Sequence, residues 1–375
     1  MKKKVLMTAS VYSHICNFHH PYLRRFQELG WETHVACAGA PGNAPWADRT
    51  LALPFEKKMF SPENFRAMRM LRRLIRSEDY DLIVTHTTLA AFFTRLAAKG
   101  VANRPPLVNV MHGYLFDGDT PRARRTLLLN AERLTAPETD LLLVMNAWDD
   151  DAARRWKLGK RIERIPGMGV DFTELDAAAP EAGRSLRREL GIPDDAFVLL
   201  CAAEFSRRKS QRVLIEAVRL LPASFRLVLC GEGDERPACQ ALAAELGVAD
   251  RVLFPGQIAG IGRWYRMADA LVAASRSEGL PFNVMEAMHT GLPVIASAVK
   301  GHTDLIEDGV TGLLYPYGDA ERCADCARRL AGDAALRRAQ GERAAAAAAR
   351  YALPDVLPRV MEQYLSCSRG DGKDN

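Results

Sequence analysis

The 375-residue chain has no stretch near the roughly 18–20 uninterrupted apolar residues that a membrane-spanning helix needs, so a span is not expected. The opening Met1-Lys2-Lys3-Lys4-Val5-Leu6-Met7-Thr8 turns polar long before a signal-peptide core would be complete. A cytoplasmic protein is the expectation. Its eight cysteines are too scattered to build the dense disulfide framework of a small secreted domain, which implies reduced thiols. Cys323 and Cys326 form a C-x-x-C, but no second pair and no nearby histidine completes four zinc ligands, and Glu321 to Leu330 reads as a helix. There is no internal repeat, and no recognised nucleic-acid-binding fold or interleaved aromatic platform accompanies the positive charge. Nucleic acid is therefore not an expected partner. With 48% hydrophobic and 26% charged residues, the chain falls in neither the disordered nor the fibrous class.

The length exceeds one compact core of ordinary size and suits two α/β domains of roughly 150 to 200 residues each. The net charge of +5 is unevenly spread. Residues 1–168 carry 26 Lys+Arg against 17 Asp+Glu, and the remainder carries 25 against 29, so the basic character belongs to the first half.

That half alternates short apolar runs with longer amphipathic stretches: Val5 to Ala9, His34 to Ala38, Leu82 to Thr85, Leu107 to Met111 and Leu141 to Met145. Runs that are apolar throughout, not in alternation, suit parallel strands covered by helices on both faces. The Pro/Gly-rich break Pro166-Gly167-Met168-Gly169-Val170-Asp171 is a hinge candidate. A second series follows at Phe197 to Ala202, Leu227 to Leu229, Val252 to Phe254, Ala270 to Ala273 and Val294 to Ala296. The expected fold class is α/β, with two doubly wound Rossmann-like domains, 1–168 and 169–352, facing each other across a cleft. Ligands in such sheets bind beyond the carboxyl ends of the strands. A helix over 353–366, packing back on the first domain, and a disordered tail over 367–375 complete the expected organisation.

Chemistry concentrates in the segment from Ser275 to Met288 (SRSEGLPFNVMEAM), which follows a strand and leads into a short helix closed by Gly291 and Pro293. Glu278 stands before the helix and Glu286 inside it, eight positions apart. Backbone N–H groups at a helix start attract an anion, and flanking carboxylates accept hydrogen bonds from sugar hydroxyls. By spacing alone, a dipole-complementing acid and a glutamate on a solvated face are the favoured explanation of the pattern. The segment resembles the E-x7-E signature of retaining glycosyltransferases, and its flanks, Ala270 to Ser275 and Gly291 to Ser297, resemble those of glycosyltransferase family 4. The run from Val299 to Leu314 continues the likeness, which extends over nearly the whole chain.

The resemblance implies the GT-B fold and a set of roles. Glu286 would bind the ribose hydroxyls, while Glu278 and the backbone of Gly279, Leu280, Pro281, Phe282 and Asn283 would hold the transferred sugar and phosphate. Lys209 matches the family lysine that neutralises the diphosphate. Many members carry an arginine where this chain has Glu204, leaving Arg207 or Arg208 as the substitute cation. Gly231 and Gly233 resemble the glycine-rich turn near the nucleotide, although a lone G-x-G is also ordinary turn chemistry. Phe254-Pro255-Gly256-Gln257 lies where members contact the base, with Gln257 on the donor side. His112, followed by Gly113 at the end of a strand, matches a histidine that contacts the donor sugar. With Lys209 and Glu278 it makes up the catalytic set.

The opening segment Thr8 to Leu23 replaces the glycine-rich loop of many relatives, and its nearest likeness is to enzymes of bacterial exopolysaccharide and capsule synthesis. Ser13, His14 and His19 are acceptor-side candidates, and packing at a helix start is an equal reading for the histidines. Asp149-Asp150-Asp151 carries the letters of a metal-binding D-x-D, yet it follows Asn146 and opens a helix, where first-turn aspartates serve the dipole. No metal cofactor is expected. Arg66, Arg69, Arg73 and Arg76 form a stripe on the helix from Phe65 to Arg76, either a solvated face or a dock for an anionic membrane. The expected activity is retaining transfer of a hexose or N-acetylhexosamine from a UDP-sugar to a lipid-diphosphate-linked saccharide. A UDP-N-acetylglucosamine 2-epimerase of the same fold is the alternative.

Overall fold

In the computed structural model, residues 2–40 and 46–370 are described. The chain divides into two compact units, Met1–Met168 with Pro354–Asn375, and Gly169–Leu353. Each is built on one parallel sheet.

The first unit contains β1 (Lys4–Val11), β2 (Glu32–Ala38), β3 (Arg49–Ala52), β4 (Leu82–His86), β5 (Leu107–Val110), β6 (Leu141–Val144) and β7 (Arg161–Arg164) in the order β3-β2-β1-β4-β5-β6-β7. The central strands are apolar on both faces because helices cover both. Leu6, Ile83 and Leu107 join Leu71, Ile75 and Phe93 of the flanking helices in one core. The register sets Thr8 opposite Thr85 and His86 opposite Val110, which aligns the carboxyl ends of β1, β4 and β5.

The second unit contains β8 (Phe197–Ala202), β9 (Phe225–Cys230), β10 (Val252–Gly256), β11 (Ala270–Ala273), β12 (Val294–Ser297) and β13 (Gly312–Tyr315) in the order β10-β9-β8-β11-β12-β13. The chain runs outward to one side from β8 and then returns to start β11 on the other. The crevice between β8 and β11 is therefore the topological switch point, where loops diverge and leave room for a ligand. Leu199, Leu227, Val272 and Ile295 form the sheet's share of the core, against Leu214, Val218 and Leu330 of the helices.

Three strands escape the pattern reading. β3 and β7 are four-residue edge strands with exposed ends, so they carry polar residues and show no apolar run. β13 is an edge strand of the same length, too short for a period. The helix Leu353–Cys367 belongs with the first unit for nearly its whole length, and the Tyr364 ring stacks on Phe26 at 6.1 Å. The tail expected to be disordered from 367 is ordered over its first residues. Cys367 closes the helix, and the backbone N–H of Arg369 donates to Asp81 O at 3.0 Å. Residues 371–375 of that segment lie outside the described residues.

The Cys323 and Cys326 pair lies on the helix Ala320–Gly332, and burial pushes the thiols up to about 12 and about 11. No helix among the described residues is long and apolar enough to cross a membrane.

The helix carrying Glu286 is held from behind by close backbone contact. A Cβ on Gly341, in the helix Ala334–Ala348, would lie 2.1 Å from Gly291 O, in the turn that ends the helix Phe282–His289. Gly341→Ala should therefore destabilise the protein by roughly 1–3 kcal/mol through overpacking. Gly332→Ala, where a Cβ meets nothing within 4 Å, should be neutral or slightly stabilising. Guanidinium unfolding of the two variants separates these outcomes.

Candidate functional site

The second unit gathers its charged residues at the switch point. Beyond β8 the chain turns through Ala203 to Ser210 into the helix Gln211–Arg219, and beyond β11 it runs from Ala274 to Pro281 into the helix Phe282–His289. The two loops touch, with the N–H of Arg276 donating to Arg208 O at 2.8 Å. Asn283 Nδ2 donates to Ala202 O at 3.1 Å and ties the second helix start to the end of β8. Proline at the N-cap position, Pro281, offers that helix no side-chain acceptor.

Glu278 is the centre of the site. Only 7% exposed, it accepts from Lys209 Nζ and from Arg208 Nη1, both at 2.7 Å. Burial alone would raise its carboxyl, but the charges of Lys209 and then Arg208 outweigh burial and hold it at about 2. Glu204 accepts from Arg208 at 3.2 Å. Arg208 thus bridges two carboxylates and brings its cation to the site. Arg207 does not join it: the side chain is 92% exposed and pairs with Glu235 at 3.2 Å, because consecutive residues in the turn point in different directions.

Gly301 and His302 are part of this arrangement and were not foreseen. At φ +85°, Gly301 would place a Cβ 2.8 Å from Glu278 Cβ, so only glycine lets the loop after β12 cover the glutamate. His302 is fully buried. Its Nδ1 lies 2.9 Å from Ser297 O, and burial lowers its pKa, so the ring beside Glu278 is neutral.

Eight residues beyond Glu278, Glu286 accepts from the Tyr265 hydroxyl at 2.7 Å, and the same hydroxyl lies 3.1 Å from Asn283 O. Burial raises the Glu286 carboxyl, and the Tyr265 hydrogen bond offsets part of that rise. Tyr265 comes from the helix Ile261–Met267, far from the motif in sequence, and no spacing rule points to it.

Gly231 and Gly233 have a packing reason. With φ of +128° and +148°, their added Cβ atoms would lie 2.1 Å from Ala203 O and 2.2 Å from Phe205 O. They let the loop after β9 press against the loop that carries Arg208 and Lys209. Gln257 is exposed beyond β10, two strands away from β8.

The first unit brings four histidines together. His14 lies in the helix Tyr12–Phe18 after β1, His19 at the break before the helix His20–Glu28, His86 at the last position of β4 and His112 just beyond β5. One ring nitrogen from each lies within 4.8 Å of the others. His86 completes the group and was not foreseen. Ser13 is exposed on the same helix as His14. Asp149 is occupied structurally: it is fully buried and accepts from Asn146 Nδ2 at 2.8 Å and from the N–H of Tyr114 at 3.3 Å. Asp150 pairs with Arg154 at 2.9 Å.

Comparison with known proteins follows the two units. The family profile described as Glycosyl transferases group 1 matches residues 184–347, and that described as Glycosyltransferase Family 4 matches residues 22–173. A Bacillus subtilis (strain 168) protein named as glycosyltransferase EpsD is 32% identical over 379 residues, covering 100% of this chain and 99% of that one. Among solved structures, sucrose-phosphate synthase from Thermosynechococcus elongatus has a TM-score of 0.83 at 22% identity, covering 97% of this chain and 99% of its own. Anabaena HepE in complex with UDP-glucose has a TM-score of 0.78 at 21% identity, covering 97% and 99%. These two likenesses show the fold.

The Tyr265–Glu286 contact has a pH signature. Because burial raises its folded-state pKa, Glu286 contributes stability that is fully present below its unfolded value of 4.5 and is lost as pH rises through the folded value. Tyr265→Phe removes a hydrogen bond to the carboxylate form and raises that value further. The variant should lose roughly 1–3 kcal/mol at pH 7 and less at pH 4. Urea unfolding at the two pH values measures the difference, and an equal loss at both would assign it to packing.

Proposed function

The chain belongs to the glycosyltransferases, with a family 4 domain in its first half and a group 1 domain in its second, and on that premise we propose a retaining transfer from a UDP-sugar to a saccharide acceptor. The transferred group is a hexose or N-acetylhexosamine. The acceptor is a lipid-diphosphate-linked saccharide of bacterial exopolysaccharide or capsule synthesis, selected by the first unit, and the enzyme works in the cytoplasm. The name of the EpsD relative and the UDP-glucose complex of HepE favour this choice of pathway and donor.

The observation that carries the proposal is the pairing of Lys209 and Arg208 with Glu278 at the switch point, with Glu286 on the adjoining helix. Departure of UDP builds negative charge on its diphosphate. Lys209, Arg208 and the start of the helix Phe282–His289 stabilise that charge, so no metal ion is needed there. A diphosphate competes with Glu278 for these cations and releases carboxylate oxygens to accept from hydroxyls of the transferred sugar. Glu286 accepts from the ribose hydroxyls, and the backbone from Gly279 to Asn283 supplies further contacts. The departing phosphate helps deprotonate the acceptor, so no side chain acts as nucleophile. His112 donates a hydrogen bond to the donor sugar, and Ser13, His14 and His19 face the acceptor.

A screen of UDP- and GDP-sugars with lipid-linked acceptors should give UDP release and, by proton NMR, a product that keeps the donor's anomeric configuration. Sugar interconversion without UDP release would favour the 2-epimerase. In the same system, Glu286→Ala should weaken UDP binding by about 1.5–3 kcal/mol, roughly 10- to 150-fold, and wild-type affinity would remove the ribose role.

A lipid-linked acceptor has to be met at a membrane surface. Arg66, Arg69, Arg73 and Arg76 are exposed on the helix Pro62–Ser77, opposite the buried Ala67, Leu71, Leu74 and Ile75. Phe60, 78% exposed, precedes that helix, and Phe65 and Met70 are exposed on it. Each arginine near an anionic surface contributes on the order of 1 kcal/mol, enough together for reversible association at low salt. Arg69→Glu/Arg73→Glu should lower sedimentation with anionic liposomes, as should added salt. Unchanged binding by the double variant would leave the stripe a solvated face.

A further inference from the structure

Four of the chain's eight histidines occupy one site in the first unit, and no carboxylate belongs to the group. His19 and His86 are fully buried and stack with ring centroids 3.6 Å apart. His14 meets His112 edge to face at 4.8 Å and lies 4.9 Å from His19. His86 Nδ1 and His112 Nε2 are 3.2 Å apart.

Packing alone does not account for the cluster. His14 Nε2, both nitrogens of His19 and His86 Nε2 are buried and have no hydrogen-bond partner. A neutral imidazole carries one N–H and one lone pair, and burying either unsatisfied costs roughly 1–3 kcal/mol. Core histidines ordinarily escape that cost by bonding to a carbonyl or carboxylate, as His34 does with Glu32 and Tyr80. Burial lowers the pKa of all four, and neighbouring rings add to the effect for His19, His86 and His112.

We propose that His14, His19, His86 and His112 form a binding site for a divalent transition-metal ion of the zinc type. Imidazole nitrogen without carboxylate oxygen suits zinc, copper or nickel and not magnesium, calcium or manganese. Tetrahedral zinc at about 2.0–2.1 Å from each nitrogen sets its ligands about 3.3 Å apart. The His86–His112 pair already has that spacing, and the remaining nitrogens need only side-chain rotation to close from 4.8 Å or less. The scaffold is rigid, since β1, β4 and β5 are neighbours in the sheet and present their carboxyl ends together. Ser10 Oγ and Thr87 Oγ1, 2.7 Å apart, fasten the end of β1 to the chain after β4.

The ion is distinct from the diphosphate's counter-charge, which Lys209 and Arg208 provide in the second unit. Coordination through one nitrogen of His112 leaves the proton on the other. That N–H is the donor to the sugar hydroxyl. This last step rests on the transferase reading, whereas the metal site does not.

The test uses the full chain without a polyhistidine tag, stripped with a chelator and dialysed. Titration with Co2+ should give a visible absorption band that saturates at one equivalent and is bleached by one equivalent of Zn2+. Competition against a chromophoric chelator should show Zn2+ affinity falling by more than about 10-fold in His14→Ala and in His112→Ala, since even the loss of an outer partner costs that much. His14 and His112 are half-buried, so these variants are the ones to fold, and circular dichroism checks that they do. His20→Ala, exposed and outside the cluster, should bind as the wild type does. Absence of stoichiometric Zn2+ or Co2+ uptake by the wild type overturns the proposal, as does equal binding by the folded His14→Ala and His112→Ala proteins. Stoichiometric Co2+ uptake by a wild-type protein that releases no UDP in the donor screen would keep the metal site and overturn only the transferase reading.

Discussion

Every strand pairing in both sheets is parallel, and that constraint shapes the rest of the molecule. A parallel pair cannot be closed by a tight turn, so each strand is followed by a crossover that carries the chain back. All loops leaving the carboxyl ends accumulate on one edge of each sheet. In the second unit the change of direction at β8 and β11 opens that edge, and Lys209, Arg208 and Glu278 occupy it. In the first unit the same change of direction falls between β1 and β4, and there the edge collects histidines.

The two edges handle buried polarity in opposite ways. Glu278 is ionised at a site where burial opposes ionisation, and it stays so because two cations lie within 2.7 Å. A charge held by partners that a phosphate can also bind is exchangeable, which is what a site for a phosphorylated donor requires. The histidines meet burial by staying neutral, and several of their nitrogens find no partner in the protein. Ion pairs prepare the first edge for an anion, and lone pairs prepare the second for a cation.

Glycine links the Glu278 site to the backbone. Gly231, Gly233 and Gly301 all have positive φ, and each permits an approach that a methyl group would block. The G-x-G after β9 therefore acts through packing on the loop that carries Arg208 and Lys209. Gly341 does the same from behind the helix that carries Glu286.

The apolar runs of the central strands were legible because a strand buried on both faces has nowhere to place a polar residue. The edge strands β3 and β7 were not, since their exposed ends carry polar residues and leave no apolar run. Glu278, Glu286, Lys209 and His112 were legible as motif members, because helix starts and strand ends confine such residues to short, repeated spacings. Tyr265, His86, Gly301 and His302 reach their sites from separate elements, and the choice between Arg207 and Arg208 depends on which way a turn points each side chain. The sequence by itself determined the parallel α/β architecture and the local chemistry of each loop. Only the tertiary structure decided which loops meet, because hydrogen-bonding order between strands distant in sequence selects the neighbours at each sheet edge.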